Sequence, residues 1–170
     1  MSDLRINISR LSEGRHQFEL ESEPSGLGLD EHFSQLVRVH ADLEKSSRQL
    51  SLTARLSSMG RFTCDRCLDS FERELAAQYS IVYLQDQQAP LEQGDIDQEV
   101  QVIGPDVNML DLGEDVRQYL LLAVPVKLLC KDDCKGLCPH CGTNLNRSQC
   151  SCTAEEIDPR WAALKKLSND

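Results

Sequence analysis

Apolar and polar residues alternate through most of the first half of the chain. Leu4, Ile6 and Ile8 are separated by Arg5 and Asn7. Val37, Val39, Ala41 and Leu43 are separated by Arg38, His40 and Asp42. After a Lys45-Ser46-Ser47 turn the pattern resumes with Leu50, Leu52, Ala54 and Leu56. A period of two sends successive side chains to opposite faces, so these segments predict strands with one buried and one wet face. Met59-Gly60 reads as a reversal and Arg61-Phe62-Thr63-Cys64 as the start of another extended piece. Leu75, Ala77, Tyr79, Ile81 and Tyr83 continue the alternation. Short connections predict an antiparallel meander, either a curved sheet or a partly closed barrel.

The second half changes period. Residues 85–98 are polar and broken by Pro90 and Gly94, and read as a mobile acidic loop. A short strand over 99–103 follows. Asp111 with Glu114 three positions on is a helix-start signature. The helix it opens places Leu112, Val116, Leu120, Ala123 and Val124 on one face, which covers the open side of the sheet, and Pro125 ends it. A last short helix has Asp158 as cap, Pro159 in its first turn and Trp161, Leu164 and Leu167 as its apolar stripe.

The cysteines carry the chemistry. Six of the eight are Cys130, Cys134, Cys138, Cys141, Cys150 and Cys152, and the other two form Cys64-Asp-Arg-Cys67. Cys138-Pro-His-Cys141-Gly142 has the composition of a metal-binding knuckle, two thiolates bending round one ion with glycine supplying a positive φ. Cys150 and Cys152, two apart in extended chain, project to the same side. These four are assigned to one zinc site. Cys130 and Cys134, four apart, share a face of one helical turn, and could complete a second site with Cys64 and Cys67. Two alternatives stay open: a single zinc with Cys64 and Cys67 free or redox-active, and disulfides, which a reducing compartment disfavours. The predicted fold class is thus α+β, an antiparallel β-meander or partly closed barrel with a covering helix and a small zinc-bound C-terminal lobe. One domain spans 1–170, with a β-rich core and helix over 1–125, the cysteine-rich lobe over 126–152 and the last helix over 153–170.

Composition narrows the function. No apolar run reaches the 18 residues a membrane span needs, and the N-terminus shows no secretory pattern, so a cytoplasmic protein with reduced thiols is expected. The net charge of −10 speaks against a surface built wholly for phosphate. The charge is unevenly spread: no Lys or Arg lies between Arg73 and Arg117, whereas Lys45, Arg48, Arg55, Arg61, Arg66 and Arg73 surround the first cysteine pair. Catalysis has little support. The chain has no His-Glu-x-x-His, no deaminase pattern and no Gly-rich phosphate loop. His16, His32 and His40 read as surface residues and His140 as an exposed knuckle tip. A thioredoxin-type Cys-x-x-Cys opens a helix in a βαβ unit, and the strands around Cys64 and Cys67 argue against one here.

Three stretches carry a resemblance. Arg61-Phe-Thr-Cys-Asp-Arg-Cys-Leu68, Leu121-Leu-Ala-Val-Pro125 and the Cys134–Asn146 run Cys-Lys-Gly-Leu-Cys-Pro-His-Cys-Gly-Thr-Asn-Leu-Asn resemble the bacterial YceD, or DUF177, family, as does the tail from Asp158 to Leu167. The resemblance implies a non-enzymatic role in large-subunit ribosomal RNA accumulation and ribosome assembly, with no small-molecule substrate. Its implied partners are large-subunit rRNA or a pre-ribosomal particle, and a basic ribosomal protein such as bL32. Joined to the charge pattern, it makes Arg55, Arg61 and Arg66 the RNA-contact candidates, while the acidic 86–115 segment would meet a basic ribosomal protein or keep binding transient. The rival readings are a thiol redox protein or sensor using Cys64 and Cys67, a zinc-dependent hydrolase acting on RNA, and a zinc-ribbon adaptor that binds only protein.

Overall fold

A computed structural model describes residues 4–29, 31–85, 99–104 and 106–152. Its elements are β1 (Arg5–Asn7), β2 (Gly14–Ser22), a 3-10 turn (Pro24–Leu27), β3 (Val37–Lys45), β4 (Gln49–Thr63), β5 (Ser70–Leu84), β6 (Glu99–Val102), β7 (Met109–Asp111) and α1 (Gly113–Leu122). Among the described residues the protein is therefore mostly β, with one α-helix. The acidic-loop expectation over 86–98 and the C-terminal helix from Asp158 lie outside the described residues.

Five strands form an open sheet in the order β2-β3-β4-β5-β6, and β1 pairs with β7 in a separate two-stranded sheet. The meander thus holds for β2 to β5, and the barrel does not close. The expected all-antiparallel sheet also fails at β6, which runs parallel to β5 from Ile81↔Glu99 to Leu84↔Val102. Parallel neighbours need a long connection, and residues 85–98 supply it.

The alternating residues form the core. Val37, Val39, Ala41, Leu43, Leu50, Leu52, Ala54, Leu56 and Ile81 are all buried on one face of the sheet. Leu4, Ile6 and Ile8, with Leu110, Leu112, Val116 and Leu120, join the same cluster. Burying each such side chain stabilises the fold by about 1.5–3 kcal/mol relative to exposure. Lys45 Nζ donates to the carbonyls of Ile8 and Leu11, both at 2.9 Å, which ties the N-terminal chain to the sheet. Helix α1 packs on β4 and β5, with Tyr119 stacked on Tyr79 at 4.6 Å. It starts at Gly113 rather than at Leu112, and Asp111 Oδ1 accepts the Gly113 N–H at 3.0 Å. Glu114 does not reach back as the capping pattern suggested: it accepts from Gln118 at 2.9 Å. No helix among the described residues is long and apolar enough to cross a membrane.

The Met59-Gly60 reversal is a further correction. Strand β4 runs through it without a break, paired with β5 from Gln49↔Leu84 to Thr63↔Ser70. Glycine is needed there for another reason. A Cβ on Gly60 would run into the Phe62 ring, and the chain at 32–34 crosses close by, with Arg61 N–H on the His32 carbonyl at 2.8 Å and Ser34 N–H on the Met59 carbonyl at 3.1 Å.

This hairpin outruns its sheet. Strand β3 stops pairing with β4 at Arg38↔Ser57, and β6 pairs only with residues 81–84 of β5. Residues 58–63 and 70–75 therefore extend past their neighbouring strands as a two-stranded ribbon, a form marginal in water by itself and backed here by Phe62 and Leu75 in the core. Gly60→Ala is expected to cost about 1–3 kcal/mol of unfolding free energy in a urea titration. An unchanged midpoint would show that the Phe62 ring swings aside freely.

Candidate metal centres

The tip of the projecting hairpin is the loop from Cys64 to Asp69. It is closed by the Cys64 N–H on the Asp69 carbonyl and the Leu68 N–H on the Cys64 carbonyl, both at 2.9 Å. This turn aims both thiols inward. Residues 128–134 meet it from one side: Asp65 N–H donates to the Leu128 carbonyl at 2.8 Å, and the Asp65 carboxylate accepts the Leu128 N–H at 2.6 Å. Residues 134–147 meet it from the other. Arg66 donates to the Cys134 carbonyl at 2.8 Å, and its own carbonyl accepts the Leu137 N–H at 3.0 Å. Asp69 accepts from Asn144 at 2.8 Å and from Arg147 at 2.9 Å. Gly136, at φ 75, lets this strand of chain lie against the loop, since a Cβ there would stand 3.0 Å from the Arg66 carbonyl.

The clamp brings Cys64, Cys67, Cys130 and Cys134 together, their sulfurs all within 4.8 Å of one another. Cys64 lies 3.8 Å from Cys134 and Cys67 3.7 Å from Cys130. Four thiolates at the usual bond length around a tetrahedral ion stand about 3.8 Å apart, whereas a disulfide needs about 2.05 Å. The eight cysteines are free thiols here. Asn146 donates to Cys134 Sγ at 3.3 Å, an outer-sphere bond of the kind that orients a ligand. Cys64, Cys67 and Cys134 are buried together with half-buried Phe71 and Leu129, so this centre is dry.

The second group is Cys138, Cys141, Cys150 and Cys152, again with all sulfurs within 4.8 Å. It is built locally. Cys138 N–H donates to the Thr143 carbonyl at 2.8 Å, Gly142 N–H to the Cys138 carbonyl at 2.9 Å, and Leu137 bridges to Asn144. Cys141 and Cys152 are exposed, Cys150 half-buried and only Cys138 buried. This centre is wet on one side.

Protonation argues for a cation in both. Burial alone would push the Cys64 thiol up, but the backbone N–H groups of Cys130, Cys67 and Arg66 outweigh it and hold Cys64 down at about 6. The Asp69 N–H draws Cys67 down, yet burial and the thiols of Cys64, Cys130 and Cys134 push it up to about 12. In the second centre the Thr143 hydroxyl and N–H hold Cys141 at about 6, and Cys141 and burial drive Cys152 to about 12. Cys64 and Cys141 thus ionise readily, whereas Cys67 and Cys152 resist further negative charge. A bound cation removes that resistance, so both donor sets fit a metal ion.

The arginines expected at RNA already have partners in the chain. Arg55 bonds Asp42 at 2.7 Å, Arg61 bonds Glu72 at 2.9 Å, and Arg66 holds the Cys134 carbonyl. Arg61 and Arg66 sit at the hairpin end, whereas Arg55 lies nine residues back along extended chain from Cys64, about 30 Å at the strand rise. The three do not form one patch. His16 lies 2.8 Å from the Ser12 carbonyl, His32 stacks on Phe62 and His40 lies beside Glu19 and Asp42. Sequence reasoning missed the clamp of Asp65, Asp69, Asn144 and Asn146, although Asp and Asn packed among cysteines are residues that bond nearby backbone.

The loop also holds an anomaly. Leu68 has φ 59, a left-handed conformation that costs a residue with a Cβ about 1–2 kcal/mol.

Comparison with known proteins covers most of the chain. The family model described as "Large ribosomal RNA subunit accumulation protein YceD" matches residues 52–168, which include all eight cysteines. A chloroplastic large ribosomal RNA subunit accumulation protein YCED homolog 1 of Arabidopsis thaliana is 24% identical over 157 residues, covering 77% of this chain and 48% of its own length. The chain thus spans about half of that relative. An uncharacterised protein of Mycobacterium tuberculosis is 27% identical over 175 residues, covering 98% of this chain and 82% of its own. The Zea mays YCED homolog 1 is 35% identical over 49 residues, 28% of this chain and 17% of its own. No solved structure matches. With a family match that takes in the hairpin loop and both cysteine clusters, the chain belongs to the YceD family.

Proposed function

We propose that this chain supports accumulation of large-subunit ribosomal RNA as a non-catalytic assembly factor, with one structural zinc ion in each four-cysteine centre. The observation that carries the reading is the family match over 52–168, inside which lie both metal-binding groups and the loop they grip. Tetrahedral all-sulfur sites suit zinc or an iron–sulfur cluster, and zinc fits chains that need an ion for folding alone. The segment after Pro125 supplies few large apolar side chains, so the ion provides the stabilisation that burial cannot. Both shells use all four protein ligands and leave no open position for substrate, which a catalytic zinc requires.

The redox reading is the natural rival, since Cys64 is held at about 6. A reactive thiol needs access as well as charge, and Cys64 is fully buried. Direct RNA contact would come from Arg61 and Arg66 at the hairpin end, each exchanging its in-chain acceptor for phosphate, with Arg55 on a separate part of the sheet. The acidic run between Arg73 and Arg117 suits a basic protein neighbour. A protein with these tasks works where its ribosomes are assembled, in a compartment that keeps thiols reduced.

Elemental analysis of protein purified under reducing conditions is expected to give two zinc ions per chain. Cys64→Ser and Cys141→Ser should each lose one. Cys64→Ser, in the dry centre that holds the hairpin, should lower the melting temperature by about 10 °C, and Cys141→Ser by only a few. A metal-free, fully folded preparation would reject the zinc reading. For function, depletion of the protein should lower the ratio of large- to small-subunit rRNA, and the tagged protein should sediment with precursors of the large subunit. An unchanged ratio together with a protein that stays at the top of the gradient would reject the assembly reading.

A further inference from the structure

The two cysteine centres differ in what can reach them. Of the eight cysteines only Cys141 and Cys152 are exposed, and both belong to the second centre. Their sulfurs lie within 4.8 Å of one another. They enter the shell from opposite ends of its segment, Cys141 closing the first pair and Cys152 the last. In the first centre Cys64, Cys67 and Cys134 are buried and Cys130 is half-buried. A thiolate meets an oxidant only where the oxidant can approach it. The second centre therefore offers water-borne oxidants two neighbouring sulfurs, and the first offers them a closed pocket.

We infer that Cys141 and Cys152 are an oxidation site for hydroperoxides, whose joining discharges the second metal ion and slackens the grip on the hairpin end. One thiolate attacks a peroxide oxygen, the O–O bond breaks, and that sulfur becomes a sulfenic acid. The other thiolate then displaces the hydroxyl to form the disulfide. The two sulfurs supply two electrons. Both oxygens of hydrogen peroxide leave as water, taking two protons from solvent. Cys138 and Cys150 remain as ligands, and two sulfurs hold an ion far less tightly than a closed shell of four.

The effect reaches the first centre through the chain between the two cysteine pairs. Asn144 and Arg147 bond the Asp69 carboxylate at 2.8 and 2.9 Å. Asn146 donates to Cys134 Sγ at 3.3 Å and accepts the Lys135 N–H at 2.9 Å. All three residues lie between Cys141 and Cys150, so the shell that fixes those cysteines also fixes one side of the clamp. A disulfide draws its sulfurs to about 2.05 Å, which no tetrahedral shell allows, and the segment has to move. Asp65 keeps its Leu128 partner on the opposite side. The loop is slackened and stays attached.

The inference rests on the zinc reading proposed above. The test adds hydrogen peroxide to the reduced, two-zinc full chain and follows zinc release with a chromophoric chelator. Disulfides are mapped by mass spectrometry of digests, and local opening is read by hydrogen–deuterium exchange. One ion is expected to leave at least tenfold faster than the other, with Cys141 linked to Cys152. Amides of residues 65–69 and 143–147 should then exchange at least tenfold faster, those of β3 should not change, and a dithiol with added zinc should restore the starting state. Cys152→His keeps four ligands but cannot form the link, so it should retain its second ion at least tenfold longer. Equal release of both ions, earlier oxidation of the first centre, or a disulfide through Cys138 or Cys150 overturns the inference. So does unchanged exchange at residues 65–69 in the linked protein, or a two-zinc Cys152→His that loses its second ion as fast as wild type. If Cys152→His binds only one ion, the order of release and the disulfide map of wild type decide alone. A chain that carries no zinc before peroxide is added rejects the zinc reading instead.

Discussion

The hairpin of β4 and β5 reaches past the edge of its own sheet, and the rest of the architecture answers to that. Beyond Ser57 it has no β3 beside it, and it rests on the crossing at His32 to Ser34 and on Phe62 and Leu75, which belong to the main buried cluster. Its far end, beside which no other strand pairs among the described residues, is fixed by other means. The fixing is done by chain from the far half of the sequence, which bonds Asp65, Arg66 and Asp69 from two sides and presents Cys130 and Cys134 to Cys64 and Cys67. This four-cysteine group is less an addition to the fold than the junction where its two halves meet.

The two centres answer to different constraints. In the first, thiols from two distant stretches converge in an apolar pocket, so an ion there fixes tertiary structure. In the second, all four come from a stretch of 15 residues and half of them face solvent. It shapes one small loop, whose Leu137 and Asn144 also bond Arg66 and Asp69 at the hairpin end. The same donor chemistry is thus used once to join and once to fold locally.

Much of this was legible in the sequence, and the failures have physical causes. Alternation found β3, β4 and β5 and most of the buried face, because a two-residue period with one face dry leaves few other options. Strand β2 escaped because an edge strand with Phe18 and Leu20 as its main apolar residues gives too little contrast. Met59-Gly60 misled because glycine in a strand can mean a turn or a close approach, and only the Phe62 ring distinguishes them. The parallel β6 was out of reach, since a short apolar run does not record its direction. In the centres, cysteine spacing suggested the grouping, while the aspartate and asparagine clamp depends on three-dimensional meeting points that no local pattern encodes.

The 70 residues between Cys64 and Cys134 have a temporal meaning. A nascent polypeptide lengthening by about 5–20 residues per second exposes the first thiol pair on the order of 4–14 s before its complement emerges. During that interval two sulfurs destined for one shell are available to stray metals, oxidants and each other. The later, compact quartet has almost no such delay. Biosynthesis of this protein therefore has one vulnerable window, and it opens at Cys64 and Cys67.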